Sequence, residues 1–406
     1  MAALGVSASG GRLVENCRRG QGSLRRYSGG GQGVNRRDGF ALVGLALGLL
    51  GSLALMGGPR GFSAGMDFNG ASLEDWMGPF YQQALSVMRG EAQPVEGFIY
   101  PPSAAVLIAP LAWIGPALLA WVGLGLQLLS LVVLVLLVVR LGRPSESRLD
   151  LLLLGLATGS CYPLLHSLHW GQMGAPLAAL CALSLLLWQK ERPGPAAWVL
   201  AVATGIKFYP AILWLPRFLV AGVRRVDWIA ALVVLVGLPL AVFGSDAIAF
   251  GQQVLDRLDV AVGAGGDWAG SVNRQGFAQV LGRLLGFPES GLLERAFSLA
   301  LLAAALWYGR TLAMKEGWAM GAGLLLACLP LFPGPCWPHH LGALPICWWL
   351  AAQRGMSSRV LVGFSVLLGS LPAFVLYGGW PDALSMGLPA WSGVAVGLAF
   401  VLPGDS

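Results

Sequence analysis

The chain has 406 residues, of which 56% are hydrophobic and only 11% are charged, and its net charge is +6. Soluble globular proteins have about 25% charged residues, so this composition excludes an ordinary soluble domain. The mean hydropathy is +0.69 and apolar runs recur along the whole length, which indicates an all-α polytopic membrane protein. Basic residues cluster at the ends of these runs, as in membrane proteins generally, so the positive charge does not indicate nucleic-acid binding.

The N-terminal segment differs in composition from the rest. Residues 1–38 are rich in Gly, Ser and Arg, with seven arginines against Glu15 and Asp38, which is typical of a disordered cytoplasmic tail. We expect residues 39–406 to form a single transmembrane domain. Its first span, Phe40 to Gly57, should run from the inside to the outside of the membrane.

The polar loop at 58–102 is acidic and is expected to be extracytoplasmic. Within it, residues 72–89 read as an amphipathic helix on the outer membrane surface, in which Ser72 and Asp75 can form a capping box. The helical spacing of Trp76, Phe80, Ala84 and Val87 predicts that these four side chains share one apolar face.

The remainder of the chain predicts further spans, for a total of about ten to twelve. Residues 103–114 are too short to cross the bilayer fully, and residues 196–220 are split by the helix-breaking sequence Lys207-Phe208-Tyr209-Pro210. A second polar loop at 244–294 is expected to be extracytoplasmic. The other predicted spans are 117–139, 149–168, 177–188, 228–243, 296–310, 318–332, 341–352, 360–377 and 386–402.

Two aspartates of the first loop are candidate catalytic bases. Asp75 begins the predicted surface helix, and Asp67 lies closer to the first span. A carboxylate flanked by aromatic residues at the membrane surface can have a raised pKa and act as a general base. The structural alternatives are a helix cap for Asp75 and a solvated turn for Asp67.

Cationic residues and histidines supply candidate ligands for an anion. Lys207 is the only lysine inside an apolar stretch, and it either snorkels to the surface or contacts a phosphate or carboxylate at the helix break. Arg274 adds a cation in the second loop. His339 and His340 follow a Trp-Pro pair and could donate to a phosphate or a sugar hydroxyl, whereas the spacing of His166 and His169 lacks the further ligands of a zinc site.

An ordered set of motifs resembles glycosyltransferase family 87, whose members are membrane glycosyltransferases dependent on polyprenyl-phosphate-mannose. No single motif is specific, but the set runs in order from about residue 40 to residue 350. The motifs are Asp75, Phe80-Tyr81, Arg89-Gly90, Phe98-Ile99-Tyr100-Pro101-Pro102, Gly171-Gln172, Gly205-Ile206-Lys207-Phe208-Tyr209-Pro210, Arg224-Arg225, Asn273-Arg274-Gln275, Arg283, Trp337 and His339-His340.

This resemblance implies a C-type membrane glycosyltransferase fold in the bacterial inner membrane. It implies an enzyme that takes a sugar, expected to be mannose, from a polyprenyl-phosphate donor to a lipid or glycan acceptor on the outer face, with inversion and without a cofactor or nucleotide sugar. An aspartate of the first outer loop, Asp75 or Asp67, is then the expected base. The residues expected to bind the donor are Lys207, Arg274, His340, His339, Tyr100, Gln172, Tyr209 and Asn273.

The alternative function is transport or lipid flipping without covalent chemistry, because broken helices also occur in transporters. The two functions predict different structures. Convergence of Asp67, Asp75, Lys207 and Arg274 on one cavity at the outer face would favour the transferase.

Overall fold

The computed structural model describes most of the chain, with several gaps. The described residues are 36–55, 73–142, 146–221, 224–262, 274–285, 292–332, 336–376 and 386–403. Within these ranges the protein is helical and contains no strand.

We number the helices α1 to α17 in chain order. They are α1 (Arg36–Leu55), α2 (Tyr81–Met88), α3 (Pro102–Ile108), α4 (Pro116–Leu141), α5 (Arg148–Gly159), α6 (Tyr162–Trp170), α7 (Gly174–Gln189), α8 (Pro193–Ile206), α9 (Trp214–Ala221), α10 (Arg225–Phe243, with a π-helical turn at Val233–Gly237), α11 (Asp246–Val262), α12 (Phe277–Leu285), α13 (Leu292–Lys315), α14 (Trp318–Ala327), α15 (Leu344–Ala352), α16 (Met356–Leu376) and α17 (Leu388–Val401).

The helix lengths confirm the all-α polytopic membrane fold. In the described ranges, three helices are long and apolar enough to cross a membrane: α4, α10 and residues Ala296–Lys315 of α13. Helices α5 and α6 form a fourth such segment that bends by 42°. Six shorter apolar helical segments of 10–17 residues accompany them.

Helices α1 and α5 pack closely because both carry glycines four residues apart. Gly44 and Gly48 of α1 face Gly155 and Gly159 of α5, and a Cβ atom at any of the four would collide with the backbone of the opposite helix. This is the small-residue packing that lets transmembrane helices approach each other without a large side chain between them. The contact fixes α1 against the bent α5–α6 segment.

The split in residues 196–220 is present as the sequence predicts. Helix α8 ends at Ile206, Lys207 has an extended backbone, and a 3₁₀ turn at Tyr209–Leu213 leads into α9. Pro210 has no N–H for an α-helical hydrogen bond, so the helix cannot continue through it. The break leaves Lys207 at the C-terminal end of α8.

The prediction that residues 244–294 form a polar loop is wrong for much of its length. Helix α11 occupies residues Asp246–Val262 and helix α12 occupies Phe277–Leu285. Ala247, Phe250 and Val254 of α11 are buried at helical spacing, and the Phe250 ring packs edge-on against Phe98 at 6.2 Å. The amphipathic helix α11 therefore covers the part of the first loop around Phe98, where its apolar face has a partner.

The segment after residue 72 packs on protein. It contains a π-helical turn at Trp76–Phe80, which includes Pro79, and then α2. The predicted apolar face is confirmed, since its four members are buried in one cluster with the residues before and within α3. The members of this face are Trp76, Phe80, Ala84 and Val87. Ser72, the predicted cap of this helix, lies outside the described residues.

Two ion pairs join the ends of helices. Arg140 at the end of α4 pairs with Asp38 of α1 at 3.0 Å, and Arg354 after α15 pairs with Glu316 after α13 at 2.8 Å. Helix α8 runs from Arg192 at one end to Lys207 at the other. Lys207 is thus separated by the length of α8 from the arginine that precedes it.

Candidate active site

The Gly171-Gln172 turn is the first component of the site. Gly171 ends α6 in the left-handed conformation, with φ of 67°, and a Cβ atom there would lie 2.6 Å from Cβ of Trp76. Only glycine meets both conditions at low cost. The turn places the Gln172 side chain so that its Oε1 accepts a 2.6 Å hydrogen bond from the Tyr100 hydroxyl.

Two buried polar side chains form hydrogen bonds to the backbone of this turn. The Gln127 amide, on α4, donates to the Gln172 backbone carbonyl, and the Ser167 hydroxyl, on α6, donates to the same carbonyl at 2.8 Å. The Ala175 N–H donates to Ser167 Oγ at 3.3 Å. Because an apolar environment offers no water, such a closed set of hydrogen bonds is expensive to break and keeps the turn in one conformation.

Lys207 lies above Tyr100. Its Nζ is 4.8 Å from the centre of the Tyr100 ring, where the π face attracts a cation, and 2.8 Å from His339 Nε2. Ser103, just after Tyr100, donates a 2.7 Å hydrogen bond to the carbonyl of Gly205 and so ties the end of α8 to α3. The lysine is half-buried and has identifiable protein partners, so simple snorkelling does not describe it.

The His339-His340 pair sits on a 3₁₀ turn at Pro338–Ala343 that packs against α6 and α7. The His339 ring stacks on His166 at 5.7 Å, and the His340 ring lies 5.3 Å from Tyr209. The Trp337 N–H donates to His340 Nδ1 at 3.3 Å. The segment that contains Tyr100 and the 3₁₀ turn that contains His339 therefore meet at Lys207.

Asp75 lies at the edge of this group, in a segment that belongs to no candidate membrane span. The Leu73 N–H donates to the His169 carbonyl at 2.9 Å, and Trp76 Nε1 donates to the Leu119 carbonyl at 3.0 Å, so both neighbours of the acidic pair 74–75 are anchored. Asp75 makes no capping hydrogen bond to the helical turn that it precedes. The Asp75 carboxylate is therefore not occupied in capping the turn at Trp76–Phe80, whereas the predicted capping box with Ser72 involves a residue outside the described part of the chain.

The environment of Asp75 raises its pKa to about 6. Burial is the main cause, because it disfavours the charged carboxylate. The positive charge of Lys207 opposes this effect and lowers the pKa, while the negative charge of Glu74 adds to it. Asp75 and Lys207 are therefore close enough to sense each other electrostatically.

Arg274 lies close to the same region, because the next residue in the chain forms a backbone hydrogen bond there. The Gln275 N–H donates a 2.5 Å hydrogen bond to the carbonyl of Cys336, which immediately precedes the Trp337–His340 segment. Arg274 itself is buried. Cys336 is buried as well.

The structure thus brings together most of the predicted donor-binding residues. One connected group contains Tyr100, Gln172, Lys207, Tyr209, His339 and His340. Asp75 is coupled to this group by charge, and Arg274 joins it through the backbone. Asp67 and Asn273 lie outside the described residues. No group of three or more His, Cys, Asp or Glu in the described ranges is arranged to hold a metal ion.

Three residues of this group were not predicted from the sequence: Gln127, Ser167 and His166. Gln127 could have been noticed in the sequence, because its polar amide side chain lies within an apolar helix of 26 residues. His166 stood out only by its spacing to His169, and Ser167 carried no signal, because small polar residues are common in helix interiors.

Comparison with known families decides the class of protein. The sequence model of glycosyltransferase family 87 matches residues 98–333, which is more than half of the chain. The chain belongs to glycosyltransferase family 87. It is therefore a membrane glycosyltransferase. Searches of curated proteins and of solved structures returned no match.

The family 87 match does not cover the whole of the site. Tyr100, Gln172, Lys207 and Arg274 fall within the matched residues, whereas Asp75, His339 and His340 lie outside them. The folded chain brings these two groups together, so the site is completed by segments on both sides of the match.

Proposed function

We propose that this family 87 enzyme transfers a sugar from a polyprenyl-phosphate donor to an acceptor hydroxyl at the outer surface of a bacterial inner membrane. Mannose is the sugar that the resemblance implies, and the acceptor is a lipid or a glycan. The observation that carries the proposal is the coupling of a partly buried carboxylate, Asp75, to a lysine, Lys207, that itself contacts Tyr100 and His339.

Asp75 has the properties of a general base. With a pKa of about 6 it is mostly ionised at neutral pH, yet it is more basic than an ordinary aspartate. In the proposed reaction its carboxylate takes the proton of the acceptor hydroxyl while the acceptor oxygen bonds to the anomeric carbon. Asp67, the second candidate for this role, remains to be tested by the same substitution.

Lys207 and the histidines serve the leaving group. As the bond from the anomeric carbon to the phosphate oxygen breaks, negative charge grows on the departing polyprenyl phosphate. A cation and fixed N–H donors in a site that excludes water stabilise such charge. With the acceptor attacking from the side opposite the phosphate, the anomeric configuration inverts.

The location of the site suits a lipid-linked donor. Phe208, next to Lys207, is 57% exposed, so an apolar ring lies at the edge of the site where a polyprenyl chain could run. The positive-inside rule supports the outer face, because Arg192, close to Lys190, lies at the end of α8 opposite to Lys207.

Purified protein in nanodiscs, supplied with radiolabelled polyprenyl-phosphate sugars and a lipid extract, tests the proposal. Asp75→Asn should lower turnover by about 10²–10⁴-fold with little change in donor binding. Glu74→Gln is the matched control, because it removes the exposed neighbouring carboxylate, and it should retain activity. Wild-type turnover in Asp75→Asn, with loss in Asp67→Asn, would move the base to Asp67; wild-type turnover in both would refute the mechanism.

A further inference from the structure

The hydrogen bonds of His339 and His340 fix the tautomer of each ring. A lysine ammonium has three donors and no acceptor, so His339 Nε2 must accept from Lys207, and the ring proton must sit on Nδ1. His340 Nδ1 accepts from the Trp337 N–H, so its proton sits on Nε2. A further proton on either ring would place a second positive charge beside Lys207.

Each histidine therefore presents one buried N–H donor. His339 Nδ1 and His340 Nε2 are both inaccessible to solvent and have no hydrogen-bond partner among the described residues. The hydroxyl of Tyr209, beside the His340 ring, is also inaccessible to solvent and has no hydrogen-bond partner among the described residues. Buried donors are almost always paired in native proteins, so three such groups beside a lysine are suited to a ligand that carries several acceptor oxygens.

We infer that His339 Nδ1–H and His340 Nε2–H, on neutral rings of opposite tautomer, bind the phosphate oxygens of the lipid-linked donor beside Lys207. The inference rests on the proposed function and deepens it by assigning one donor atom to each ring. His166, stacked on the face of His339, and the Trp337 backbone hold the two rings in place.

Reciprocal amide substitutions test this assignment. An Asn amide lies near the position of Nδ1 and a Gln amide near that of Nε2, and either can donate. His339→Asn and His340→Gln keep the inferred donor, whereas His339→Gln and His340→Asn remove it. The second pair preserves the protein's own contacts instead: a Gln oxygen can still accept from Lys207, and an Asn oxygen can still accept from Trp337 N–H.

The measurement is the affinity of each purified variant for polyprenyl phosphate in nanodiscs, with unphosphorylated polyprenol as the control ligand. We expect His339→Gln and His340→Asn to weaken binding by about 10-fold or more, and the other two variants to stay within about 3-fold of wild type. Binding of polyprenol should be the same in all four. A purely structural role predicts the opposite order.

The opposite order, equal affinities in all four variants, or no binding of polyprenyl phosphate by the wild-type protein would overturn the inference. A different result would refute the proposed function without refuting this inference. If the wild-type protein binds polyprenyl phosphate with the expected order of variants but transfers no sugar from any polyprenyl-phosphate donor, the phosphate site stands and the transfer reaction does not.

Discussion

The side-chain amide of Gln127, in the middle of the membrane-spanning helix α4, donates a hydrogen bond to the backbone carbonyl of Gln172. Gln127 is 1% exposed. Through Gln172 it reaches the Tyr100 hydroxyl, and through the Tyr100 ring it reaches Lys207. A residue buried in the helix bundle therefore positions a group that we expect to meet the donor.

Gln127→Leu should lower the turnover of this enzyme by about 10-fold while the protein still folds. The substitution removes the hydrogen bond to the Gln172 carbonyl, at a stability cost of about 1 kcal/mol, and leaves that carbonyl bound only by Ser167. Small displacements of positioned groups are costly in rate. Ser392→Ala, which breaks a buried hydrogen bond to Ser365 between α16 and α17, is the control. Equal turnover losses in both variants would show a general packing effect.

The pH dependence of turnover should follow Asp75. Because a base must be ionised, kcat/KM should rise with pH through a midpoint near 6, the pKa of Asp75. Lys207→Met should move this midpoint to higher pH in the residual activity, because the lysine charge lowers that pKa. Arg89→Ala, which removes an exposed arginine paired with Glu91, should leave it unchanged. A midpoint below 5 in the wild-type enzyme would contradict the assignment.

Ionisation of Asp75 should destabilise the folded protein, whereas ionisation of most carboxylates stabilises it. Its folded-state pKa of about 6 exceeds the ordinary value of 3.8, so the folded state holds the proton more tightly. The free energy of unfolding therefore falls as pH rises from about 4 to about 6 and stays reduced at neutral pH. Asp75→Asn should raise the melting temperature in detergent at pH 7, with little effect at pH 4.

Glu91 provides the comparison for that experiment. Its hydrogen bond with Arg89 lowers its pKa to about 2, so its charged form is favoured by folding. Glu91→Gln should lower the melting temperature slightly or leave it unchanged at pH 7. A lower melting temperature in Asp75→Asn than in the wild-type protein would mean that the carboxylate is stabilised in the folded state after all.

The sequence predicted those parts of the site where local chemistry is unusual. Lys207 stands out as a lysine beside a helix-breaking proline, and the break itself follows from the missing N–H of Pro210. The pairing of Lys207 with His339 could not be predicted, because the two are 132 residues apart and one sequence carries no information about which turns meet.

The fold prediction failed where amphipathic helices were read as loops. Helix α11 has buried residues at 247, 250 and 254, but its charged residues lowered the apolar character of the segment as a whole. The periodicity was present in the sequence. What the sequence could not show is that this apolar face packs against the aromatic cluster around Phe98.

Gly171→Ala should destabilise the protein and displace Asp75. Alanine is disfavoured in the left-handed conformation by about 1–2 kcal/mol, and its Cβ would collide with Trp76 and with the backbone of Leu73. Those two residues flank Glu74 and Asp75, so turnover should fall by more than the loss of folded protein explains. Gly78→Ala is the control, because no atom lies within 4 Å of the added methyl group. Equal activity per folded molecule in the two variants would contradict the link.

The orientation in the membrane should place the Asp75 segment outside. Glu91 and Glu191 are both exposed glutamates, one in the loop after α2 and one in the turn between α7 and α8 beside Lys190 and Arg192. The positive-inside rule assigns the α7–α8 turn to the cytoplasm, and α8 then leads outward to Lys207. Single cysteines at these positions, in a Cys17→Ser background with the other native cysteines buried, report the side directly.

A membrane-impermeant maleimide added to intact cells should label Glu91→Cys at once and Glu191→Cys only after the membrane is broken. Both variants should react fully in detergent, which controls for the accessibility of each thiol. Labelling of Glu191→Cys but not Glu91→Cys in intact cells would invert the topology. It would also put Asp75 and Lys207 on the cytoplasmic face, where the proposed site would have to use donors presented on the inner leaflet.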